Sequence, residues 1–228
     1  MTINPYKKPF IVIEGIDGCG KSTLLDYIRQ WDKLHELNSV FTEEPTERFL
    51  PGQKIHRLLK NGLCEEGGRR VSPDEFQGLY ILDRLEHRAE EAVFLQSRPV
   101  ISSRDFPSTV CYGAAGGVFP QWVMAEHERI LGELFFAPDL VIILDLPAEE
   151  AMKRIGGSGK TPDYFEKKLD FLTKVRENYL NFPETIRKAY PGVGLDIRVI
   201  SASGSPEEVY RNAVLRIAEI FRDKPYKK

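Results

Sequence analysis

The sequence predicts an α/β fold: a mostly parallel five-stranded sheet with helices on both faces. Three observations predict it. Short apolar runs recur along the chain, longer and partly periodic segments separate them, and a glycine-rich turn joins the first run to the first helix-like segment. Strands that alternate with helical segments build βαβ units, whose strands run parallel. With 228 residues, 42% hydrophobic and 29% charged, the chain fits one large globular domain.

The first run is "FIVIE", 10–14, dense in β-branched residues, as buried strands are. The next are "VFTEE", 40–44, and "PVISS", 99–103. "DLVIILDL", 139–146, and "IRVISA", 197–202, complete the five. Helical segments are expected at about 21–36, 73–96, 120–135, 147–190 and 206–222. Within 154–168 the quartet Gly156, Gly157, Ser158 and Gly159 breaks the pattern, and Gly-Ser runs are flexible. A lid-like loop is expected at about 154–165. No repeat, low-complexity tract or linker divides the chain, so residues 1–228 are expected to form a single domain.

A formal charge of −2 argues against a broad nucleic-acid-binding surface, which shows as a basic excess. Cys19, Cys64 and Cys111 are far apart and form no CxxC pair, a usage that fits a reducing compartment. "MTINPYKKPF" lacks the apolar core of a signal peptide, and no run is long enough to cross a membrane. A cytoplasmic protein is expected. His35, His56, His87 and His127 form no metal-ligand spacing.

"GIDGCGKS", Gly15 to Ser22, matches GxxxxGK[ST] between a strand and a helix, the setting in which that motif cradles phosphate. Its nucleotide-binding stretch is Gly15, Ile16, Asp17, Gly18, Cys19, Gly20, Lys21, Ser22 and Thr23. Glycines let successive N–H groups turn inward onto phosphate oxygens, and the helix N-terminus adds its positive dipole end. Lys21 reaches the β- and γ-phosphates of ATP, and Ser22 offers its hydroxyl to Mg²⁺. The chain has no NKxD guanine motif, and Asp145 is followed by leucine rather than the glutamate of many ATPases. A kinase acting on a small acceptor fits best.

Three stretches qualify as an acceptor site. "FTEEP" ends the second strand. Tyr80 and Arg84 are four residues apart, on one helical face, where a ring and a guanidinium can stack on a base and bond its carbonyl edge. Arg104 follows a strand, where ligands sit in open α/β sheets, and its fork suits a phosphate.

Together "IEGIDGCGKST", "VFTEEP", "DRLEH", "SRDFPSTVCYG", "PDLVIILDLP" and the lid-like "GGSGKTPDYFEKK" resemble the thymidylate kinase family over nearly the whole chain. The resemblance implies a P-loop nucleotide kinase fold with a short lid, a homodimer, and transfer of the ATP γ-phosphate to thymidine monophosphate. It implies that Lys21 and the amides of Gly18 and Gly20 hold ATP, and that Asp17 lies near the sugar 3′-hydroxyl. It places Glu44, Pro45, Ser108 and Tyr112 on the acceptor side. Tyr80 would stack on thymine, Arg84 would bind its carbonyl, and Arg104 would hold the acceptor phosphate. Gly18 stands where some members carry a catalytic arginine, so the cation is expected from the lid, at Arg154 or Lys160. The chain departs from the family at Glu43, for the arginine of T-R-E-P, and at Ser103, for the aspartate before Arg104. These departures leave two other readings open: a kinase for another deoxynucleoside monophosphate or a nucleoside, and a nucleotide-binding protein with weakened catalysis. Lys21→Ala is expected to abolish phosphoryl transfer in a protein that still folds; normal turnover in that variant contradicts the loop assignment.

Overall fold

The apolar runs of the sequence become strands of one sheet, and the computed structural model describes residues 1–157, 159, 163–166 and 168–224. In chain order the elements are β1 (Thr2–Ile3), β2 (Phe10–Gly15), α1 (Lys21–Leu34), β3 (Val40–Glu43), α2 (Leu50–Lys60), α3 (Pro73–Phe94), β4 (Val100–Ser103) and α4 (Phe106–Ala115). They continue as α5 (Pro120–Leu131), β5 (Phe136–Ala137), β6 (Leu140–Asp145), α6 (Ala148–Gly157), α7 (Leu169–Ala189), β7 (Asp196–Ser201) and α8 (Pro206–Asp223).

The main sheet has the order β3-β4-β2-β6-β7 and every pair in it is parallel. β2 is central and buried along its whole length, as a strand covered on both faces must be. α1 and α8 pack together on one side, while α4 and α7 pack together on the other. Ile13 lies opposite Ser103, and Ser103 opposite Glu43, so β2, β4 and β3 end side by side. The segments that follow them share one edge of the sheet, where open α/β folds bind ligands. α3 starts on a capping box, Ser72 with Glu75, and has Pro73 in its first turn.

The helical expectations need three corrections. The segment 147–190 is two helices, α6 and α7, separated after Gly157. The segment 120–135 stays helical only to Leu131 and then makes a short 3₁₀ turn, Gly132–Leu134. α2 and α4 are additional. α4 is buried almost all round, so its sequence carries no amphipathic stripe. α2 opens on Leu50-Pro51-Gly52, which reads as a turn, yet a proline in the first helical turn costs no hydrogen bond. β1 and β5 form a separate parallel pair.

α2 is seated by a close approach. Asp83 of α3 accepts hydrogen bonds from Thr46 N (2.8 Å) and Thr46 Oγ1 (2.6 Å), fixing the segment after β3. A Cβ on Gly52 would lie 2.1 Å from Thr46 O and 2.6 Å from Asp83 Oδ1. Gly52→Ala therefore overpacks this junction, a cost of about 1–3 kcal/mol. At about 2–4 °C per kcal/mol for a chain of this size, the melting temperature should fall by several degrees. An unchanged melting temperature contradicts the packing described.

Candidate active site: a phosphate loop beside an aromatic cavity

Residues 16–20 link β2 to α1, and Gly18 (φ 78°) and Gly20 (φ 101°) both take left-handed conformations. A Cβ on Gly18 would lie 2.6 Å from Ala151 O and 2.9 Å from Ile155 Cγ1, so α6 rests on the loop and leaves no room for a side chain. The same packing brings Arg154 beside the loop, with Nη1 3.9 Å from where a Cβ on Gly20 would stand. Arg154 donates to Glu150 Oε1 (2.6 Å) and Ala202 O (3.0 Å). Lys160 lies outside the described residues. Lys21 is buried, and its Nζ donates to Gly15 O and Ile16 O, each at 3.0 Å. Ser22 and Thr23 are exposed in the first turn of α1. Cys19 is buried, and burial pushes its thiol up, away from thiolate chemistry.

Arg104 joins this loop to α4. Its φ of 70° is unusual for a residue other than glycine and swings the side chain off the line of β4. The guanidinium donates to the Asp17 carboxylate, to Ser108 Oγ (3.0 Å) and to Tyr112 Oη (3.3 Å), and lies 5.1 Å from the centre of the Tyr112 ring. Tyr112 Oη in turn donates to Asp17 Oδ2 (2.7 Å). Burial alone would raise the Asp17 pKa, but Arg104 and Lys21 outweigh it and hold the carboxyl below its ordinary value.

Glu14, at the end of β2, is the anchor beneath. Its Oε1 accepts from Asp105 N (2.8 Å) and Ser108 N (3.3 Å), while Oε2 accepts from Ser108 Oγ (2.7 Å) and Tyr179 Oη (2.8 Å). Asp105 is the N-cap of α4 and makes no side-chain cap, so a carboxylate from another strand satisfies the helix's first amides. Sequence reasoning passed over Glu14, although a charge inside the apolar run "FIVIE" is the signal of a buried polar role.

A cavity of about 210 Å³ opens against these residues. Six residues expected on the acceptor side line it: Asp17, Pro45, Tyr80, Arg104, Ser108 and Tyr112. Phe76, Tyr80, Tyr112 and Phe165 make its aromatic wall; Phe76 meets Tyr80 edge-on at 5.3 Å and Phe165 at a tilt at 5.9 Å. His56 and Leu59 of α2, Gln77 of α3, Thr109 of α4 and Asp163 also line it and were not expected. The lid-side pair Asp163 and Phe165 falls within 154–165.

Glu44 and Arg84 are among the expected residues that do not reach this wall. Both are buried behind it. Arg84 donates through Nε (3.0 Å) and Nη2 to Glu44 Oε2, and through Nη1 to Thr109 Oγ1 (3.0 Å) and His127 Nε2 (2.5 Å); its Nε also lies 3.0 Å from Asp105 Oδ1. Without a nucleotide the guanidinium is engaged within the protein, where a base carbonyl was expected as its partner. The cluster extends through Arg88, which donates to Asp105 Oδ1 (2.6 Å) and stacks over Phe10, and through His87, whose Nδ1 faces Glu44 Oε1 (3.1 Å). Ser103 sits in the ladder beside Ile13, and Glu43 is exposed and does not line the cavity.

A phosphate loop at the switch between two parallel strands, facing an aromatic cavity that ends on an arginine, defines a P-loop kinase fold. The family model described as Thymidylate kinase matches residues 13–210. The chain is 37% identical over 210 residues to "Probable thymidylate kinase" of Thermococcus onnurineus, covering 90% of this chain and 95% of that one. It is 32% identical to "Thymidylate kinase" of Nitratidesulfovibrio vulgaris over 94% of each. The chain belongs to the thymidylate kinase family.

The two histidines of the buried cluster titrate in opposite senses. Burial pulls the His87 pKa down, but Glu91 and Glu44 outweigh it and raise it to about 9 from 6.5. Burial and then Arg84 push His127 down to about 3, and its Nε2 accepts from Arg84 as a neutral ring. The His87 contribution to stability is complete below pH 6.5 and is lost as pH rises through 9. The His127 contribution is complete above pH 6.5 and is lost as pH falls toward 3. In calorimetry across pH, His87→Gln should flatten the alkaline limb of the melting-temperature curve and His127→Gln the acid limb; unchanged limbs contradict these assignments.

Proposed function

We propose that this chain transfers the γ-phosphate of ATP to thymidine monophosphate, giving thymidine diphosphate and ADP. The observation that carries this reading is the Asp17–Arg104 pair, which sets the phosphate loop and the aromatic cavity within one hydrogen-bond network. A donor phosphate on the loop and an acceptor phosphate at Arg104 would then face each other, and positioning of this kind supplies much of the rate of phosphoryl transfer.

In this reading Lys21 and the amides of Gly18 and Gly20 hold the ATP phosphates. Tyr80 stacks on the base. Ser108 and Tyr112 bound the sugar, with Tyr112 as a steric gate against a 2′-hydroxyl and Asp17 near the 3′-hydroxyl. Pro45 closes the cavity from the β3 side. Glu44 acts behind the wall, through Arg84. Arg154, set beside Gly20 by α6, is the cation that moves onto the transferring phosphoryl group; Lys160 is the other candidate.

The residues fit Mg²⁺ carried on the nucleotide. Among the described residues no group of three or more His, Cys, Asp or Glu side chains is arranged to hold a metal ion. Mg²⁺ bound with substrate phosphates keeps several waters and needs only one or two protein donors, a demand that the exposed Ser22 hydroxyl meets in part. When bound, the ion neutralises charge on the β- and γ-phosphates.

A homodimer and a cytoplasmic location belong to the same proposal. The dimer rests on the family resemblance, and the location on three free cysteines without a disulfide. Among the described residues no helix is long and apolar enough to cross a membrane.

The test is kcat/KM with ATP for the four deoxynucleoside monophosphates and uridine monophosphate. Thymidine monophosphate is expected to be the best acceptor. A preference for a purine or cytosine nucleotide overturns the acceptor assignment, and absence of transfer to any of them overturns the kinase reading. Arg154→Ala should lower kcat by about tenfold or more, roughly 1.4 kcal/mol, with little change in acceptor KM. Unchanged kcat contradicts its role.

A further inference from the structure

We infer that Gln77 reads the imide edge of the acceptor base by accepting a hydrogen bond from pyrimidine N3–H, an assignment that rests on the thymidylate reading above. Gln77 lies one helical turn before Tyr80 on α3 and lines the same cavity. The residue is 3% exposed, and its Oε1 is buried without a hydrogen-bond partner. Buried polar atoms in folded proteins are almost always paired, so an orphaned acceptor on a side chain that lines a cavity marks a place for a donor that arrives with a ligand, met by a turn of the amide.

Two neighbours make that place specific. Gly113 of α4 gives the amide its seat: a Cβ there would lie 3.2 Å from Gln77 Cγ and 3.5 Å from Cδ. One turn earlier on α4, Thr109 accepts from Arg84 Nη1 at 3.0 Å, which leaves the threonine hydroxyl hydrogen to donate toward the cavity it lines. The wall therefore presents an acceptor from α3 and a donor from α4. Thymine and uracil carry the complement, N3–H beside O4. Cytosine carries an N3 lone pair beside an amino group and mismatches both. Arg84 contributes by orienting Thr109, and the amide of Gln77 meets the base.

The test compares kcat/KM for thymidine monophosphate and its N3-methyl derivative in the native protein and in Gln77→Met, an apolar side chain of similar shape. The native protein should disfavour the N3-methyl compound by about tenfold or more, the usual consequence of an unpaired buried group. Gln77→Met should lose about tenfold on thymidine monophosphate and little on the derivative, so that the ratio collapses toward one. Its melting temperature should not fall, because the oxygen removed had no partner. Gly113→Ala, which crowds the amide without deleting it, should lower the same ratio and serves if Gln77→Met folds poorly. A ratio unchanged within about twofold in the folded variants overturns the assignment to Gln77 while leaving the thymidylate reading intact. A native protein that prefers a cytosine or purine nucleotide overturns both.

Discussion

Arg104 has to leave a parallel strand and return its guanidinium to a loop that follows a different strand, and the rest of the site depends on that reversal. β2 and β4 are neighbours in register, so Asp17 and Arg104 emerge close together at the same sheet edge. A regular continuation of β4 would carry the arginine past the loop. The left-handed turn at φ 70° redirects it, at a cost of order 1–3 kcal/mol for such a residue. The Asp17 carboxylate, Ser108 Oγ and the Tyr112 ring hold it there. Strain is tolerated because the surroundings over-determine the conformation, which is how preorganised sites are built.

Two buried groups keep those surroundings in place. Glu14 ties the first amides of α4 to β2, so the helix that supplies Ser108, Thr109 and Tyr112 cannot shift without breaking three bonds to one carboxylate, which also holds Tyr179 of α7. Below it, Glu44, Arg84, Arg88 and Asp105 tie α3 to the ends of β3 and β4. Ion pairs of this kind add little net stability when intact. Removing one partner leaves an uncompensated charge, with losses of about 3–5 kcal/mol. The cluster therefore acts as a registry device: it fixes where α3 lies against the sheet, and so where Tyr80 and Phe76 stand in the cavity.

The strands and most helices were legible because β2 and β6 are continuous apolar runs bounded by turns, and because α1 and α8 each carry a periodic stripe. α4 was not legible, since a helix buried on nearly every side has no stripe to read. α2 was hidden by its Pro51-Gly52 start. The phosphate loop was fully legible, because its chemistry is local and its spacing is fixed by backbone geometry. Of the cavity lining, Asp17, Pro45, Tyr80, Arg104, Ser108 and Tyr112 were singled out in the sequence and are found together. The partners of Arg84 were not legible, for a physical reason: helical spacing puts it on the face of Tyr80 but says nothing of the charges that arrive from elsewhere. Glu44 and Asp105 come from the ends of two other strands, and together they draw the guanidinium behind the wall. At the Glu43 departure the side chain is exposed and does not line the cavity, a placement that the sequence does not reveal.

The central claim is that the strained turn exists to present Arg104 to an acceptor phosphate. Calorimetric titration of thymidine and of thymidine monophosphate, into the native protein and into Arg104→Gln, tests it directly. The account predicts that the native protein binds the monophosphate at least about tenfold more tightly than the nucleoside, roughly 1.4 kcal/mol, and that the two bind alike in Arg104→Gln. A phosphate preference that survives the substitution would contradict it.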